Sequence, residues 1–285
     1  MKFLLDRNSK DKRWLAIWLA GLLTLGLWDV LFLNRPALNL LMKGLGNTVI
    51  ISLLVIAFSL LLGWLSALAL YFLEQQKVQA PYLGAVFLLN IIRSVPQIVG
   101  ILGGYILLTV YIQSGALQSR SATLILIALV ISLFVFLEVG DLIRERIVYF
   151  KERDFFNAML VCGIREGRII NREILWKNSL PHIFNKLISI FGMSIFLLCS
   201  IDFIISVGLS REVSSVNLPV TLGNLLARID SKQDILAIGT TLTDPAYLPN
   251  LFFAHLQGIS VAALIVFTLL CLYHISNGFS RRLEI

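Results

Sequence analysis

The sequence predicts an all-α, polytopic membrane protein with about six transmembrane helices. Of its 285 residues, 58% are hydrophobic and only 14% are charged, whereas a soluble domain carries about 25% charged residues. The apolar residues also come in runs long enough to cross the roughly 30 Å of hydrocarbon in a bilayer. These two observations exclude a soluble globule built around one large core.

Six apolar runs account for the predicted helices in chain order. They are Trp14–Leu33, Thr48–Leu73, Val95–Ile112 with a possible lead-in from Pro81, Ala122–Val139, Ile183–Val207 and Leu251–His274. A basic segment precedes the first run, but no small-residue cleavage site follows it, so the pattern predicts an uncleaved first span.

The third run contains a local conflict. Arg93 lies eleven residues into an apolar stretch, and Pro96 follows it closely. A charge deep in lipid is costly, and proline disfavours a helical conformation at the residue before it. We therefore expect a break at Ser94–Val95, with residues 82–93 near the membrane surface and Arg93 at the interface. The alternative is a kinked, continuous helix whose Arg93 faces a polar cavity.

The distribution of basic residues predicts the orientation of the chain. Of the 24 Lys and Arg residues, 16 fall in one set of connecting segments: Lys2, Arg7, Lys10, Lys12, Arg13, Lys77, Arg144, Arg146, Lys151, Arg153, Arg165, Arg168, Arg172, Lys177, Arg281 and Arg282. The opposite set holds Arg35, Lys43, Arg120, Arg211, Arg228 and Lys232, while Arg93 and Lys186 fall at or within apolar runs. Both termini and the 142–182 segment are therefore expected in the cytoplasm, and Leu209–Asn250 outside. That outer segment contains an amphipathic stretch, Leu222–Ile238, which predicts partial order.

No chemistry typical of an enzyme is visible. The three cysteines are scattered, and we interpret Cys199 and Cys271 as small apolar residues inside spans. His182, His255 and His274 lie in different segments, which argues against a metal site, and no GxxxxGK[ST] phosphate-binding loop is present.

The most informative segment is the polar insert Asp154–Pro181 between two apolar runs. Asp154 is a candidate helix N-cap, and Phe155, Phe156, Met159 and Leu160 follow at spacings that place them on one face. Gly163 is suited to end the helix because it adopts positive φ at low cost. A helix of about two turns is unstable alone, so it needs either a groove on a partner or a bed of lipid headgroups.

This insert resembles the cytoplasmic EAA loop of bacterial ABC-importer permeases. The triplet position reads Asn157-Ala158-Met159, the family glycine corresponds to Gly163, and the ending corresponds to Ile174-Leu175 followed by Asn178-Ser179-Leu180-Pro181. Arg168-Ile169-Ile170 is also similar to the family. The chain departs from it at Asn157, Met159 and Trp176.

Other segments are similar to the dipeptide/oligopeptide/nickel subgroup of these permeases, in its second-subunit form. They are Gly46-Asn47-Thr48 at the start of a span, Asp202 with Ile205-Ser206-Val207-Gly208-Leu209, the PVTLGNL run from Pro219 to Leu225, and the tail Asn277-Gly278-Phe279 with Arg281-Arg282-Leu283. The resemblance implies a type I importer permease fold, with residues 1–40 as tail and first helix, residues 41–285 as permease core, coupling loop 142–182 and external loop 209–250.

The resemblance further implies a non-catalytic subunit in a bacterial inner membrane. Its partners would be a homologous permease, two ATPase subunits that carry ATP and Mg²⁺, and an extracytoplasmic substrate-binding protein, with no cofactor on this chain and no nucleic acid. It assigns ATPase coupling to Asp154, Phe155, Phe156, Asn157, Ala158, Met159, Leu160 and Gly163. Among these, we expect Phe155, Phe156 and Met159 to anchor the contact with the ATPase.

Several polar and small residues have two interpretations each. Asp202 lines a substrate path or reaches an interface as an exposed carboxylate, and Arg93 is the other candidate for the path. Gly100 and Gly104 form a GxxxG that is either a helix-packing face or a chance match. The Glu138/Asp141/Arg144/Glu145 cluster is interpreted as an interfacial network of ion pairs.

Three functional classes follow from these observations. The first is the ABC permease, for which peptides fit best, while nickel chelates, other metal complexes, opines and sugars share the architecture. The second is a secondary transporter or channel, which predicts broken helices in both halves of the chain. The third is a membrane scaffold without transport, which the order of the permease-like motifs disfavours.

Overall fold

The computed structural model describes residues 10–75, 79–115, 119–208, 218–227, 229–254 and 256–283. These residues form helices joined by short turns, with no strand among them. Lys2, Arg7, Lys77, Arg211 and Arg228, on which part of the predicted orientation rests, lie outside the described residues, as does Leu209 of the permease-like motif.

Five helices are long and apolar enough to cross a membrane, so the architecture is compatible with a multi-pass membrane protein. They are α1 (Lys10–Phe32), α2 (Arg35–Gln75), α5 (Arg120–Lys151), α8 (Leu180–Gly208) and α12 (Leu256–Leu283). The shorter elements are α3 (Gln79–Ser94), α4 (Gln97–Gln113), α6 (Asp154–Val161), α7 (Glu166–Arg168), α9 (Leu222–Ala227), α10 (Ile229–Thr243) and α11 (Leu248–Ala254). A π-helix, Ile169–Asn178, follows α7 directly, and a 3₁₀ turn, Pro245–Tyr247, precedes α11.

The predicted break after Arg93 is confirmed. Helix α3 ends at Ser94, α4 begins at Gln97, and their axes meet at 93°. The Ser94 hydroxyl donates to the Ile91 carbonyl at 2.7 Å, which helps to close the last turn of α3 ahead of Pro96. A bend of this size excludes the kinked, continuous helix. Counted as one broken span, α3 and α4 bring the candidate spans among the described residues to six; counted as a re-entrant loop, they leave five.

The long helices extend beyond the apolar runs that predict them. Helix α2 has 41 residues, which at 1.5 Å per residue is about 60 Å and twice the thickness of a hydrocarbon core. Helix α5 continues to Lys151, twelve residues past the predicted end at Val139. Charged residues terminate an apolar run but not a helix, because most of them are good helix formers. For the same reason the boundary predicted at residues 40/41 falls inside α2.

Contacts between helices define the two ends of the bundle. Helices α2 and α5 run in the same direction, because Arg120 contacts Asn47 near their starts and Gly140 meets Gly63 further along both helices. Helix α8 runs against α5, with Lys186 paired to Glu138. We call the end that carries α6 the α6 end and the other the α9 end. The start of α1 and the last turns of α12 lie at the α6 end, where Ser276 donates to Asn185 of α8.

Close helix contacts form the core. A Cβ atom on Gly63 would lie 2.7 Å from Val139 Cβ and 2.9 Å from both the Gly140 nitrogen and the Phe136 oxygen, so α2 and α5 are nearly in backbone contact there. Small residues permit such crossings in membranes. Helix α1 is the least enclosed of the long helices, with 6% of its most apolar window buried.

Candidate functional site

Helix α6 is a short, partly exposed helix at one end of the bundle. It covers Asp154–Val161, close to the two turns predicted, and Gly163 follows it with φ +75°. The Gly163 amide donates to the Leu160 carbonyl at 2.9 Å and the Ile164 amide to the Met159 carbonyl at 3.2 Å, the Schellman pattern of a glycine-terminated helix. The predicted N-cap is wrong: Arg153 occupies that position, without a side-chain capping bond, and Asp154 is the first helical residue.

The aromatic face of α6 points into the protein. Phe156 is only 2% exposed and belongs to the main hydrophobic core, while Phe155 and Met159 are partly buried against that core. The ring of Phe155 lies 6.1 Å from that of Phe150 at the end of α5, in an edge-on arrangement. The expectation that Phe156 anchors a partner is therefore wrong, since this ring attaches α6 to its own bundle, whereas a partner contact of the partly buried Phe155 and Met159 stays a prediction. The periodicity identified the apolar face but not the surface it covers.

The rest of the α6 surface is open. Asn157 and Ala158 are exposed, Leu160 is 40% exposed and Val161 is 88% exposed. Cys162 follows as an exposed free thiol. A short apolar tip on a helix seated by a buried phenylalanine is a surface that a second protein can cover without rearrangement of the helix.

The segment 166–178, which follows α6 in the chain and which we call the platform, is fixed to α2. Ile169, Ile170, Ile174 and Leu175 of the segment 166–178 are buried in the core. From α2, the Trp64 indole nitrogen donates to Asn171 Oδ1 at 2.9 Å, and the Tyr71 hydroxyl donates to Glu166. Gln75 Nε2 also donates to Glu166, at 2.5 Å.

The sequence analysis did not predict these hydrogen bonds between α2 and the segment 166–178. Trp64 and Tyr71 are seven residues apart, which places them on one face of α2, and this spacing was the available signal. On the other side of the platform, Arg146 Nε of α5 donates to the Ser179 hydroxyl at 3.2 Å, and Ser179 is fully buried. The loop is thus tied to both α2 and α5.

The permease-like motifs at the α9 end meet in space although they are far apart in sequence. Asn47 Nδ2 donates to the Val220 carbonyl at 2.6 Å, and the Leu222 amide donates to Thr48 Oγ1 at 3.0 Å. The Thr221 hydroxyl donates to the Asp202 carboxylate. Three motifs therefore form one buried polar cluster, which we call the Asn47–Thr221 cluster.

Asp202 is a buried member of this cluster. It is 7% exposed, so the interpretation as a carboxylate reaching an interface is wrong. Gly223 makes its position possible, because a Cβ there would lie 2.5 Å from the Cys199 Cα and 3.0 Å from the Asp202 Cβ. Arg120 extends the cluster toward α5 by donating to Asn47 Oδ1 at 3.3 Å.

Both basic residues that interrupt apolar runs are paired on α5. Arg93 contacts both carboxylate oxygens of Asp141 at 2.7 Å, and Lys186 contacts Glu138 at 2.6 Å. Arg93 lies at the bend between α3 and α4, with its side chain 54% exposed. It lines a small cleft with Ser66 and Asn90. Two acidic members of the predicted cluster, Glu138 and Asp141, thus pair with basic residues of other helices, whereas a network among the cluster's own four residues stays a prediction.

The GxxxG of α4 packs within the chain. A Cβ on Gly100 would lie 2.2 Å from Phe134 Cε1, and one on Gly104 would lie 2.4 Å from Val130 Cγ1. The packing-face interpretation is therefore confirmed, with α5 as the neighbour. Cys199 and Cys271 are free and buried, as expected for small apolar residues inside helices. No group of three His, Cys, Asp or Glu residues is placed to hold a metal ion within the described ranges.

Comparison with known proteins gives no assignment. No family model matches the chain, and no curated protein sequence matches it.

Proposed function

We propose that this chain is a permease subunit of a binding-protein-dependent ABC importer in a bacterial inner membrane. It forms half of a translocation pathway. Helix α6 transmits the conformational change that ATP hydrolysis drives in the ATPase subunits to the membrane helices. It pairs with a homologous permease and two ATPase subunits, and an extracytoplasmic binding protein delivers the substrate. Its own role is non-catalytic.

The observation that carries the proposal is the way in which α6 is mounted. Phe156 is buried in the core, whereas Val161 on the other face is 88% exposed. A helix held rigidly on one side and open on the other transmits force from a partner to the bundle. A freely hinged helix would absorb that motion, and so would a helix merely resting on lipid headgroups.

The connections of the platform support a mechanism of alternating access. The segment 166–178 is bonded to α2 through Asn171 and Glu166, and α6 packs on α5 through Phe155. Closure of the ATPase dimer would then move α2 and α5 together and tilt the spans outward, and hydrolysis would restore the inward state. A ligand drives such a cycle only through its different affinities for the two states.

Sequence resemblance supports the choice of substrate class. The Asn47–Thr221 cluster is built from the segments that resemble the dipeptide/oligopeptide/nickel subgroup, so peptides or metal complexes are the proposed cargo. Asp202 and Arg93 remain the proposed polar residues near the pathway. Asp202 lies at the α9 end, and Arg93 lies at the bend of α3 and α4.

The competing proposal of a secondary transporter makes a different structural demand. Inverted repeats place a broken helix in each half of the chain. Within the described residues one bent pair of helices is present, α3 with α4. This asymmetry favours a permease that is driven from outside the membrane.

Protection of Cys162 tests the proposal directly. Cys162 is the exposed thiol beside Val161, whereas Cys199 and Cys271 are buried, so a maleimide should report on the open face of α6. We expect co-expressed ATPase subunits to co-purify with the chain and to slow labelling of Cys162 at least about tenfold.

Val161→Glu should remove both the protection and the uptake, because it places a charge in the apolar contact. Leu242→Glu, an equally exposed apolar position at 82% on α10, is the matched control and should keep the protection. Uptake with a fully reactive Cys162 would contradict the proposal.

A further inference from the structure

A cleft opens where the first turns of α1 meet the last turns of α12. Its volume is about 560 Å³, and its lining includes Lys10, Arg13 and Trp14 on one side and Tyr273, His274 and Arg281 on the other. It lies at the α6 end, because Ser276 of α12 contacts Asn185 at the start of α8. It is nevertheless separate from the α6 surface, and the proposed function makes no use of it.

Three basic side chains line the cleft. Lys10, Arg13 and Arg281 line it, and all three are exposed. Among the described residues, the acidic residue beside these cations in sequence is Asp11, which is 6% exposed, packs against Gly278 and is not part of the lining. Lysine and arginine donors converging on one concave site match a phosphate group, to which arginine donates two parallel hydrogen bonds.

Aromatic side chains place the cleft at a boundary between water and hydrocarbon. Trp14 stacks on His274 with ring centroids 4.1 Å apart and planes 10° apart, and Tyr273 is 64% exposed. Tryptophan and tyrosine favour the headgroup level of a bilayer. The apolar run of α1 begins at Trp14.

The surface next to the cleft is suited to acyl chains rather than to water. Ile17 lines the cleft and is 46% exposed, and Leu23, Leu27 and Leu31 further along α1 are 63% to 73% exposed. A free phosphate ion would use the basic residues and leave this apolar wall uncovered. A phospholipid covers both, with its headgroup in the cleft and its chains along α1.

We propose that this cleft binds the headgroup of an anionic phospholipid. Lys10, Arg13 and Arg281 contact the phosphate, while Trp14 and Tyr273 lie at the level of the glycerol. The lipid then bridges α1 and α12 and stabilises the attachment of the first helix, which is poorly enclosed by protein. The inference rests on the membrane placement in the proposed function and is independent of coupling to an ATPase.

Native mass spectrometry of the full chain with bound lipid tests the site. Phosphatidylglycerol is the probe and phosphatidylcholine the neutral reference. Replacing Lys10, Arg13 and Arg281 by Gln together should weaken retention of phosphatidylglycerol by roughly a hundredfold, about fivefold per cation. Retention of phosphatidylcholine, whose phosphate charge is offset by its choline, should fall much less. Inorganic phosphate should not displace the lipid, and displacement by it would overturn the assignment to a lipid.

Two further variants separate the site from general charge and from misfolding. Arg165, Arg168 and Arg172 are exposed on the α6 side of the chain, outside the cleft. Replacing those three by Gln removes the same charge and should leave retention intact; an equal loss in this control would overturn the proposal. Arg281→Lys preserves the charge and should bind, which shows that a folded cleft is being measured. A chain that retains neither lipid would contradict the membrane placement as well, whereas unprotected Cys162 would contradict only the coupling to an ATPase.

Discussion

At the scale of single residues, α5 carries the partners for charges that interrupt apolar runs. Glu138 binds Lys186 where both side chains are less than a third exposed, whereas Asp141 binds Arg93 where both are more than half exposed. Ionisable residues inside transmembrane segments are costly unless they are paired. Breaking the Glu138–Lys186 pair should therefore cost more stability than breaking the Asp141–Arg93 pair, because water already screens the exposed Asp141–Arg93 pair.

This difference predicts unequal effects of two similar substitutions. Glu138→Gln should lower the free energy of unfolding by about 2 kcal/mol, because it leaves Lys186 unpaired in a partly buried site. Asp141→Asn should cost less than about 1 kcal/mol. Thermal unfolding of the purified variants in one detergent measures both. The double variant Glu138→Gln, Lys186→Gln should recover part of the loss, and equal melting temperatures for the two single variants would contradict the argument.

A second pair of residues on α2 tests the Asn47–Thr221 cluster. Thr48 Oγ1 accepts from the Leu222 amide, whereas the Ser52 hydroxyl, one turn further and equally buried, has no hydrogen-bond partner in the described part of the chain. Thr48→Val should cost about 1 kcal/mol and speed amide hydrogen exchange in residues 218–227. Ser52→Ala should be neutral or slightly stabilising. Faster exchange in both variants would show that the hydroxyl bond is not what holds the segment.

At the scale of elements, sequence reasoning succeeded where the cause is local. Arg93 with Pro96 predicted the break between α3 and α4, and Gly163 predicted the end of α6, since a proline or a glycine acts within one turn. It failed at the start of α6, where Arg153 takes the N-cap position predicted for Asp154. Arg153 and Asp154 both lie in a polar stretch of the sequence, so the pattern did not distinguish which of them is the N-cap of α6.

Non-local contacts were out of reach of the pattern. Asn47 and Val220 are 173 residues apart and Trp64 and Asn171 are 107 apart, and no periodicity connects such positions. The apolar face of α6 shows the same limit. Phe156 was predicted on the correct face of a helix of about the correct length, but the pattern did not show which protein covers that face. The structure places the core there and leaves Val161 outside.

The crossing of α2 and α5 gives a prediction about an element pair. Gly63→Ala should destabilise the bundle by about 1–3 kcal/mol, because the added methyl meets backbone atoms of Phe136 and Gly140 that cannot turn away. Gly46→Ala on the same helix is the control, since nothing lies within 4 Å of its added Cβ. It should be neutral or stabilising, as alanine favours helix over glycine. Thermal unfolding measures both, and the prediction fails if Gly63→Ala melts no earlier than Gly46→Ala.

At the scale of the whole molecule, the two ends of the bundle separate the charges. Lys10, Arg153, Arg165, Arg172 and Lys177 lie at the α6 end, whereas Arg35, Lys43 and Arg120 lie at the α9 end. The sequence sorted these residues into the same two sets by alternation of spans. The orientation predicted by the positive-inside rule would then have the α6 end, its platform and the cleft between α1 and α12 on the cytoplasmic side.

The native cysteines test this orientation without a large change to the protein. Cys162 is exposed at the α6 end, and Cys199 and Cys271 are buried. In intact spheroplasts of a bacterial host, a membrane-impermeant maleimide should leave the chain unlabelled, because the predicted orientation puts Cys162 on the cytoplasmic side. Lysis should make it react. In a Cys162→Ser background, Leu242→Cys at the α9 end should react before lysis, since Leu242 is 82% exposed. Labelling of Cys162 in intact spheroplasts would reverse the orientation and place α6 on the side where no ATPase can reach it.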